Sequence, residues 1–415
     1  MKNDSTEFEG WFSSLENVLR TGARRLMQSI LEEEANEYVR RFEALVDDKQ
    51  RRIVKRNGYS PQRSIVTGIG PIDVKKPRVL DRRQDHSFTS QILPPYLRKV
   101  PSVENLIPAL YLKGLSTMDF GKALESILGP EYKGFSPKSV ERLKAKWMEE
   151  YDEWRRRELT GKNYVYVWAD GIYFNVRLED AENKRMCFLV LMGALEDGTK
   201  ELIGVLDGYR ESKASWQSLL SDLSERGLSK QPKLAVGDGS LGFWAAIEEV
   251  WPETAHQRCW VHKTANILDK MPKSVQGRAK QQIHDMYLAE TREEAFKAYD
   301  QFQMLYQDKF PKAFQCLEKD KDVLFSFYDF PAVHWQHIRT TNPIESTFAT
   351  VRHRTNKTKG CGSRKATLMM VFKLCREASL RWRKLQGYSR ILELVEGVRF
   401  IDGLTADEWE QRKAA

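Results

Sequence analysis

Cysteine is scarce in this chain. Its 415 residues include five, Cys187, Cys259, Cys316, Cys361 and Cys375, odd in number and irregularly spaced. That excludes a disulfide-stapled scaffold and points to a reducing cytoplasm. Long apolar runs are missing as well. The longest, MCFLVLMGAL (186–195), falls far short of the roughly 20 residues a membrane helix needs. The opening MKNDSTEFEGW has no apolar stretch of signal-peptide type. No internal repeat and no low-complexity linker is found. The expectation is a soluble cytoplasmic protein with no membrane partner.

Core-forming residues are plentiful: 41% of the chain is hydrophobic, with 11 Trp, 19 Phe and 15 Tyr, enough for two or three domains at this length. The net charge is only +9, but it is unevenly placed. Lys49 to Arg83 carries a net +9 and Arg339 to Lys384 a net +10, which leaves the remainder at −10. Two basic stretches on an otherwise acidic protein favour a polyanionic partner, nucleic acid first, over a merely solvated surface.

Residues 12–45 have the periodicity of an amphipathic helix, with Leu15, Leu19, Leu26, Ile30, Tyr38 and Phe42 on one side. Ordinary core packing explains such a stripe more simply than a dimer seam. SIVTGIGPIDVKKPRVL then predicts a basic β-hairpin, confined to an edge by Pro71 and Pro77. Between 102 and 159 three helices are expected, with a Ser116…Asp119 cap on the second and Ser136-Pro137 opening the third. Short helices with tight turns fit a helix-turn-helix DNA reader, and equally a generic bundle.

From residue 163 the pattern changes to β-β-β-α-β-α-β. YVYVWADGIYFNVR, RMCFLVLMGAL and KELIGVLDGYR are the first three strands, PKLAVGDG the fourth and TAHQRCWV the fifth. Ser212 caps the first helix. A three-strand meander followed by crossovers predicts a mixed sheet with helices on both faces, the ribonuclease-H-like arrangement. In that topology strands one and four are neighbours. Asp170 in the first strand and Asp238 at the end of the fourth then meet, although 68 positions separate them. Adjacent carboxylates repel unless a cation intervenes, and hard oxygen ligands suit Mg²⁺. Taken singly, Asp238 in GDGS also fits a plain turn, and Asp170 an edge or bulge position. Glu345 follows in TTNPIESTFATVRHRT, with Asn342 as N-cap, Pro343 at N1 and Glu345 at N3, where a capping box alone would explain it.

Asp170, Asp238 and Glu345, with QRCWVHKTAN and TTNPIESTFATVRHRT, closely resemble the Mutator-type DDE transposases of bacterial insertion sequences, the IS256-like group. The likeness covers roughly 160–390. CWVH matches the family's Cys/Asp-x-x-His signature as Cys259 and His262, and 263–338 matches its helical insertion. The resemblance implies an α/β fold: a ribonuclease-H-like core interrupted by an all-α insertion and preceded by a mainly helical DNA-binding region with a basic hairpin. It divides the chain into a helical region 1–48, a hairpin region 49–101 and a helix-turn-helix-like domain 102–160. The first part of the core is then 161–262, the insertion 263–338, and the second part of the core, with the Glu helix, 339–415.

The implied activity is DNA cleavage and strand transfer at terminal inverted repeats, with two Mg²⁺ or Mn²⁺ ions per active site held by Asp170, Asp238 and Glu345. Implied partners are double-stranded DNA, both repeats and target, and a second copy of the chain on DNA. Cys259 and His262 are expected to support the site by hydrogen bonding rather than to bind zinc, which usually takes four ligands. Arg258 is placed beside them, as both site support and a phosphate contact. Further phosphate contacts are assigned to Arg51, Arg52, Lys55, Arg56, Lys75, Lys76 and Arg78, and to Arg352, Arg354, Lys357 and Lys359. A nuclease without strand transfer, or an inactive DNA-binding descendant, are the alternatives.

Overall fold

The structure is a computed structural model, describing residues 4–113, 115, 119–128, 137–176, 185–208, 210–357 and 363–414. Two compact units emerge, Met1–Leu143 and Lys144–Ala415.

In the first unit, helix α1 (Asp4–Arg41) leads into a long two-stranded ribbon. Its outer ladder pairs β1 (Val54–Tyr59) with β4 (Pro77–Asp81), and its inner ladder pairs β2 (Arg63–Thr67) with β3 (Gly70–Val74). The predicted hairpin is thus longer than expected and broken in the middle. At the break, the Gln28 amide donates to Lys75 O (2.9 Å) and accepts from Lys75 N (3.0 Å). This replaces the ladder bonds that Pro77 cannot extend. The leucine stripe of α1 is not the packed face. Leu15, Leu19, Leu26 and Ile30 are exposed, Leu26 at 64%. Ala23, Met27 and Leu31, spaced at i, i+4, i+8, pack instead on Ile65, Ile72, Val74 and Leu93.

Helices α2 (Pro101–Leu112) and α3 (Phe120–Leu128) bury Val103, Ile107, Phe120, Leu124 and Leu128 together. Helix α4 (Pro137–Arg155) follows, and the division between units falls within it. The predicted caps at Ser116 and Ser136 lie outside the described residues.

The second unit is built on a mixed sheet of five strands: β5 (Tyr164–Asn175), β6 (Arg185–Leu195), β7 (Lys200–Gly208), β8 (Leu234–Gly237) and β9 (Ala255–Arg258). Their spatial order is β7-β6-β5-β8-β9, with β6 antiparallel to both neighbours and β5, β8 and β9 parallel. Helices α5 (Lys213–Glu225) and α6 (Leu241–Val250) cover one face through Trp216, Leu219, Leu220, Phe243 and Ile247. Ser212 caps α5 as expected, accepting from Ser215 N at 3.2 Å. A bulge between Tyr164 and Tyr166 turns Tyr164 toward this helical face, away from the Tyr166–Trp168 side on which simple alternation places it.

The chain then runs through α7 (Trp260–Leu268), α8 (Lys273–Leu288), α9 (Arg292–Tyr306), α10 (Pro311–Glu318), α11 (Lys321–Leu324) and α12 (Trp335–Ile338). Thr291 Oγ1 accepts from Glu294 N at 3.2 Å and caps α9. Aromatic residues form the core of this stretch: Phe314, Phe325, Phe327 and Tyr328 are buried. The stretch returns to the open face of the sheet. His334 Nε2 donates to Gly387 O (2.9 Å), so its Nδ1 accepts from the Tyr166 hydroxyl (2.8 Å), and Trp168 Nε1 donates to His337 O (2.9 Å). At the far edge, Gln257 of β9 is fully buried, donating to Leu324 O and accepting from Phe327 N. Helices α13 (Asn342–Lys357) and α14 (Arg364–Ser379) complete the covering of this face.

Candidate active site

Asp170 occupies its strand because the neighbouring strand stops beside it. The parallel register between β5 and β8 runs from Tyr166 opposite Leu234 to Ala169 opposite Gly237. One step on, Asp170 faces Asp238. Parallel neighbours lie about 4.8 Å apart, so the two carboxylates share one edge of the sheet. Asp238 leaves the strand in an Asx turn, its Oδ1 accepting from Ser240 N at 2.9 Å and its carbonyl from Trp244 Nε1 at 3.0 Å. The turn chemistry of GDGS is therefore present, and it fixes the carboxylate at the strand end rather than competing with a site. Asp170 is only 6% exposed. Burial first, then Asp238, raise its carboxyl to about 7, and Glu211 adds to the rise while His262 opposes it. A pair of oxygen donors, one buried and one half-buried, with this excess of negative charge fits a hard divalent cation of the Mg²⁺ or Mn²⁺ type.

Glu345 stands at the start of α13, but not in the predicted cap register. Glu345 N donates to Thr341 O at 3.0 Å, which makes Thr341 the N-cap and moves Glu345 one position past N3. Its carboxylate is consequently not closing a capping box. Oε1 instead accepts from the Thr341 hydroxyl at 2.7 Å and lies 3.7 Å from His262 Nδ1. The expected strand TAHQRCWV ends at Arg258. Cys259 is the N-cap of α7, and His262 lies in its first turn. Cys259 N donates to Gly237 O (2.8 Å), tying this turn to the strand that carries Asp238.

The Cys259 sulfur, His262 nitrogen and Glu345 oxygen all lie within 4.8 Å of one another. Among the described residues this mixed-ligand group has three members, one short of a structural zinc site, and Cys259 Sγ already accepts from Thr341 N at 3.3 Å. The contact with Cys259 raises His262 to about 9 against the opposing effect of burial. Burial pushes the Cys259 thiol up, but the hydrogen bonds from His262 and Thr341 outweigh it and leave the thiol below its usual value. His262 also feels Asp170 and Glu345, so it stands electrostatically between those two carboxylates.

The family profile described as "Transposase, Mutator family" matches residues 3–384 of this chain. The chain belongs to the Mutator family of transposases. It is 50% identical over 293 residues to the transposase for insertion sequence element IST2 of Acidithiobacillus ferrooxidans, covering 69% of this chain and 96% of that one. It is 46% identical over 301 residues to the IS6120 transposase of Mycolicibacterium smegmatis, covering 72% and 92%. Similarity extends at 28% over 340 residues to the IS256 transposase of Staphylococcus aureus, covering 81% and 83%.

Within this Mutator-family chain the basic residues separate by environment. Arg51, Arg52, Lys55, Lys75 and Arg78 are exposed on or next to the ribbon, and Arg56 and Lys76 are half-buried. Arg52 pairs with Glu43, and Arg56 donates to the Asn36 side chain at 2.6 Å. On α13, Arg352 is exposed, whereas Arg354 is 5% exposed. The Lys357 side chain and Lys359 lie outside the described residues. Arg258 is buried too. It and Lys263 converge on Asp320 Oδ2, at 3.2 and 2.6 Å, and its guanidinium lies against Gly239, directly after Asp238. Arg258 thus links the acidic edge to the helical stretch rather than facing solvent.

Three residues of this region were not singled out in the sequence: Thr341, Asp320 and Glu211. The threonine pair TTN ahead of the proline was the one available signal. Nothing local marks the other two.

Proposed function

We propose that this chain is a DDE transposase with a ribonuclease-H-like catalytic core. In this reading it cuts the terminal inverted repeats of its insertion sequence and joins the freed 3′ ends to target DNA. The observation that carries the proposal is the meeting of Asp170 and Asp238 at the end of the parallel β5–β8 pair, with one carboxyl buried and held up near 7.

Asp170, Asp238 and Glu345 would hold the divalent metal. Bound there, Mg²⁺ or Mn²⁺ supplies Lewis-acid stabilisation of the attacking and leaving oxygens at a phosphodiester. The chain's own residues do the rest. The Asx turn at Asp238 and the ladder under Asp170 fix the direction of two ligands. The Thr341–Cys259–His262 network fixes the third, and burial under α13 keeps bulk water from one side of the sheet edge. No serine, tyrosine or cysteine nucleophile is required, because the attacking oxygen comes from water or from a DNA 3′-hydroxyl. The exposed basic residues of the ribbon and Arg352 would contact phosphates, and the three helices after the ribbon would read the repeat ends. Two chains would act together on a pair of ends.

The test is a strand-transfer assay with the element's own ends and Mg²⁺. Joined product is expected from the native chain, and product reduced by orders of magnitude, with end binding retained, from Asp170→Asn, Asp238→Asn and Glu345→Gln. Full activity of Glu345→Gln would remove Glu345 from the metal set.

A further inference from the structure

Helix α1 has two apolar faces, and only one of them is packed within the first unit. Ala23, Met27 and Leu31 lie on the ribbon. Leu15, Val18, Leu19, Leu26 and Ile30 are instead 44% to 64% exposed. In the middle of that stripe, a Cβ added at Gly22 would meet nothing within 4 Å. With 3.6 residues per turn, the two faces point roughly 150° apart.

The exposed face has the spacing of a seam between helices. Leu15, Leu19, Gly22 and Leu26 alternate steps of four and three residues, the 3.5-residue period at which two long helices supercoil. In the sequence the same alternation runs back through Phe12 to Phe8, which extends the pattern to about three heptads. Past Ile30 the face turns charged, where Glu33 pairs with Arg40, and the apolar seam ends.

A second copy of α1 fits this stripe in area and in length. Five such aliphatic residues expose on the order of 90 Å² each, hence roughly 900 Å² across two copies. Apolar surface makes up about 65% of a homodimer interface, so the pairing would bury about 1,400 Å² in all, within the range of about 1,200–2,000 Å² for specific association. Helix α1 has 38 residues, whereas the next longest described helix, α4, has 19. Helix α4 also buries its own apolar residues Val140, Trp147 and Tyr151. Another α1 matches the seam in both length and period.

We propose that α1 is a dimerisation element: two copies pair through Leu15, Leu19, Leu26 and Ile30 in a two-stranded coiled coil that forms without DNA or metal. This goes beyond the proposed function, in which two chains need meet only on a pair of ends. Because the opposite face of each α1 carries a basic ribbon, pairing along this seam leaves both ribbons on the outside of the dimer.

The test is sedimentation velocity of the full chain at micromolar concentrations, without DNA or divalent metal, with circular dichroism and thermal melting in parallel. The native chain is expected to sediment as a dimer. Leu19→Asp with Leu26→Asp is expected to raise the dimer dissociation constant about a hundredfold or more and to keep the helical content. Leu19→Ala with Leu26→Ala, which retains high helix propensity, is expected to raise it about tenfold. Met27→Asp, on the packed face, is expected to lower the melting temperature instead. Should the aspartate variant lose helical content, the alanine variant decides. A monomeric native chain overturns the proposal and leaves the cleavage reading standing. If the leucine variants then also melt lower, the stripe is covered by the chain's own second unit. A dimer undiminished in the alanine variant puts the seam elsewhere and likewise overturns the proposal.

Discussion

Thr341 Oγ1 donates to Glu345 Oε1 at 2.7 Å, while the Thr341 main-chain N donates to Cys259 Sγ at 3.3 Å. One fully buried threonine thereby couples the Cys-x-x-His turn to the acid of the next helix. Thr341→Val keeps the shape and removes the donor, whereas Thr341→Ser keeps the donor. Strand transfer by the valine variant should fall tenfold or more, with end-DNA binding and melting temperature near native, and the serine variant should be close to native. Equal activity of the two variants would show that the hydroxyl does not position Glu345.

A raised carboxyl pKa has a defined sign in stability. Asp170 sits at about 7 in the folded chain and near 4 when unfolded, so the folded state loses stability as pH rises from 4 to 7 and does not regain it above. Asp170→Asn removes that cost. The metal-free variant should melt above the native chain at pH 8, by an amount that corresponds to at most about 4 kcal/mol, and the difference should vanish near pH 4. Adding Mg²⁺ at pH 8 should raise the native melting temperature and leave the variant unmoved. A variant that melts lower than native at pH 8 contradicts the account.

Asp320 neutralises two cations that are almost fully buried, Arg258 and Lys263. Removing one partner of a buried ionic group costs about 3–5 kcal/mol, because the remaining charge keeps its desolvation penalty. Asp320→Ala should therefore destabilise the chain by several kcal/mol in urea denaturation. Glu293→Ala, which breaks the exposed Lys297–Glu293 pair, should change stability by less than about 1 kcal/mol.

In the proposed reading, the exposed cations of the ribbon would meet a phosphate backbone. Replacing Arg51, Lys55, Lys75 and Arg78 with glutamine should weaken binding to end DNA. It should also flatten the plot of log affinity against log salt by roughly 0.9 for each phosphate no longer neutralised. The same substitution at the buried Arg354 should leave that slope unchanged. Filter binding across a series of salt concentrations measures both.

Much of the second unit was legible because its signals are local or follow from order alone. Strand alternation and the β-β-β-α-β-α-β succession sufficed to place Asp170 beside Asp238, and the Ser212 cap was readable from its own few residues. What escaped was set by tertiary contacts. The face of α1 that packs was chosen by the ribbon, not by its most obvious leucines. Arg354 follows the alternation of a surface helix, yet it is buried. Glu211 reads as an ordinary charged residue ahead of a helix, and its place over Gly171 depends on a strand 40 positions away. The cap register at Thr341 was missed by one residue because TTNP offers two polar candidates in succession.

The buried side chain of Gln257 carries a last consequence. β9 is the outermost strand on its side of the sheet, only four residues long, and such an edge is a template for pairing with another chain. By accepting from Phe327 N and donating to Leu324 O, Gln257 seals that flank with the helical stretch. The stretch between the second and third acids thus acts as an edge guard. Without it, the sheet would become sticky before it became inactive.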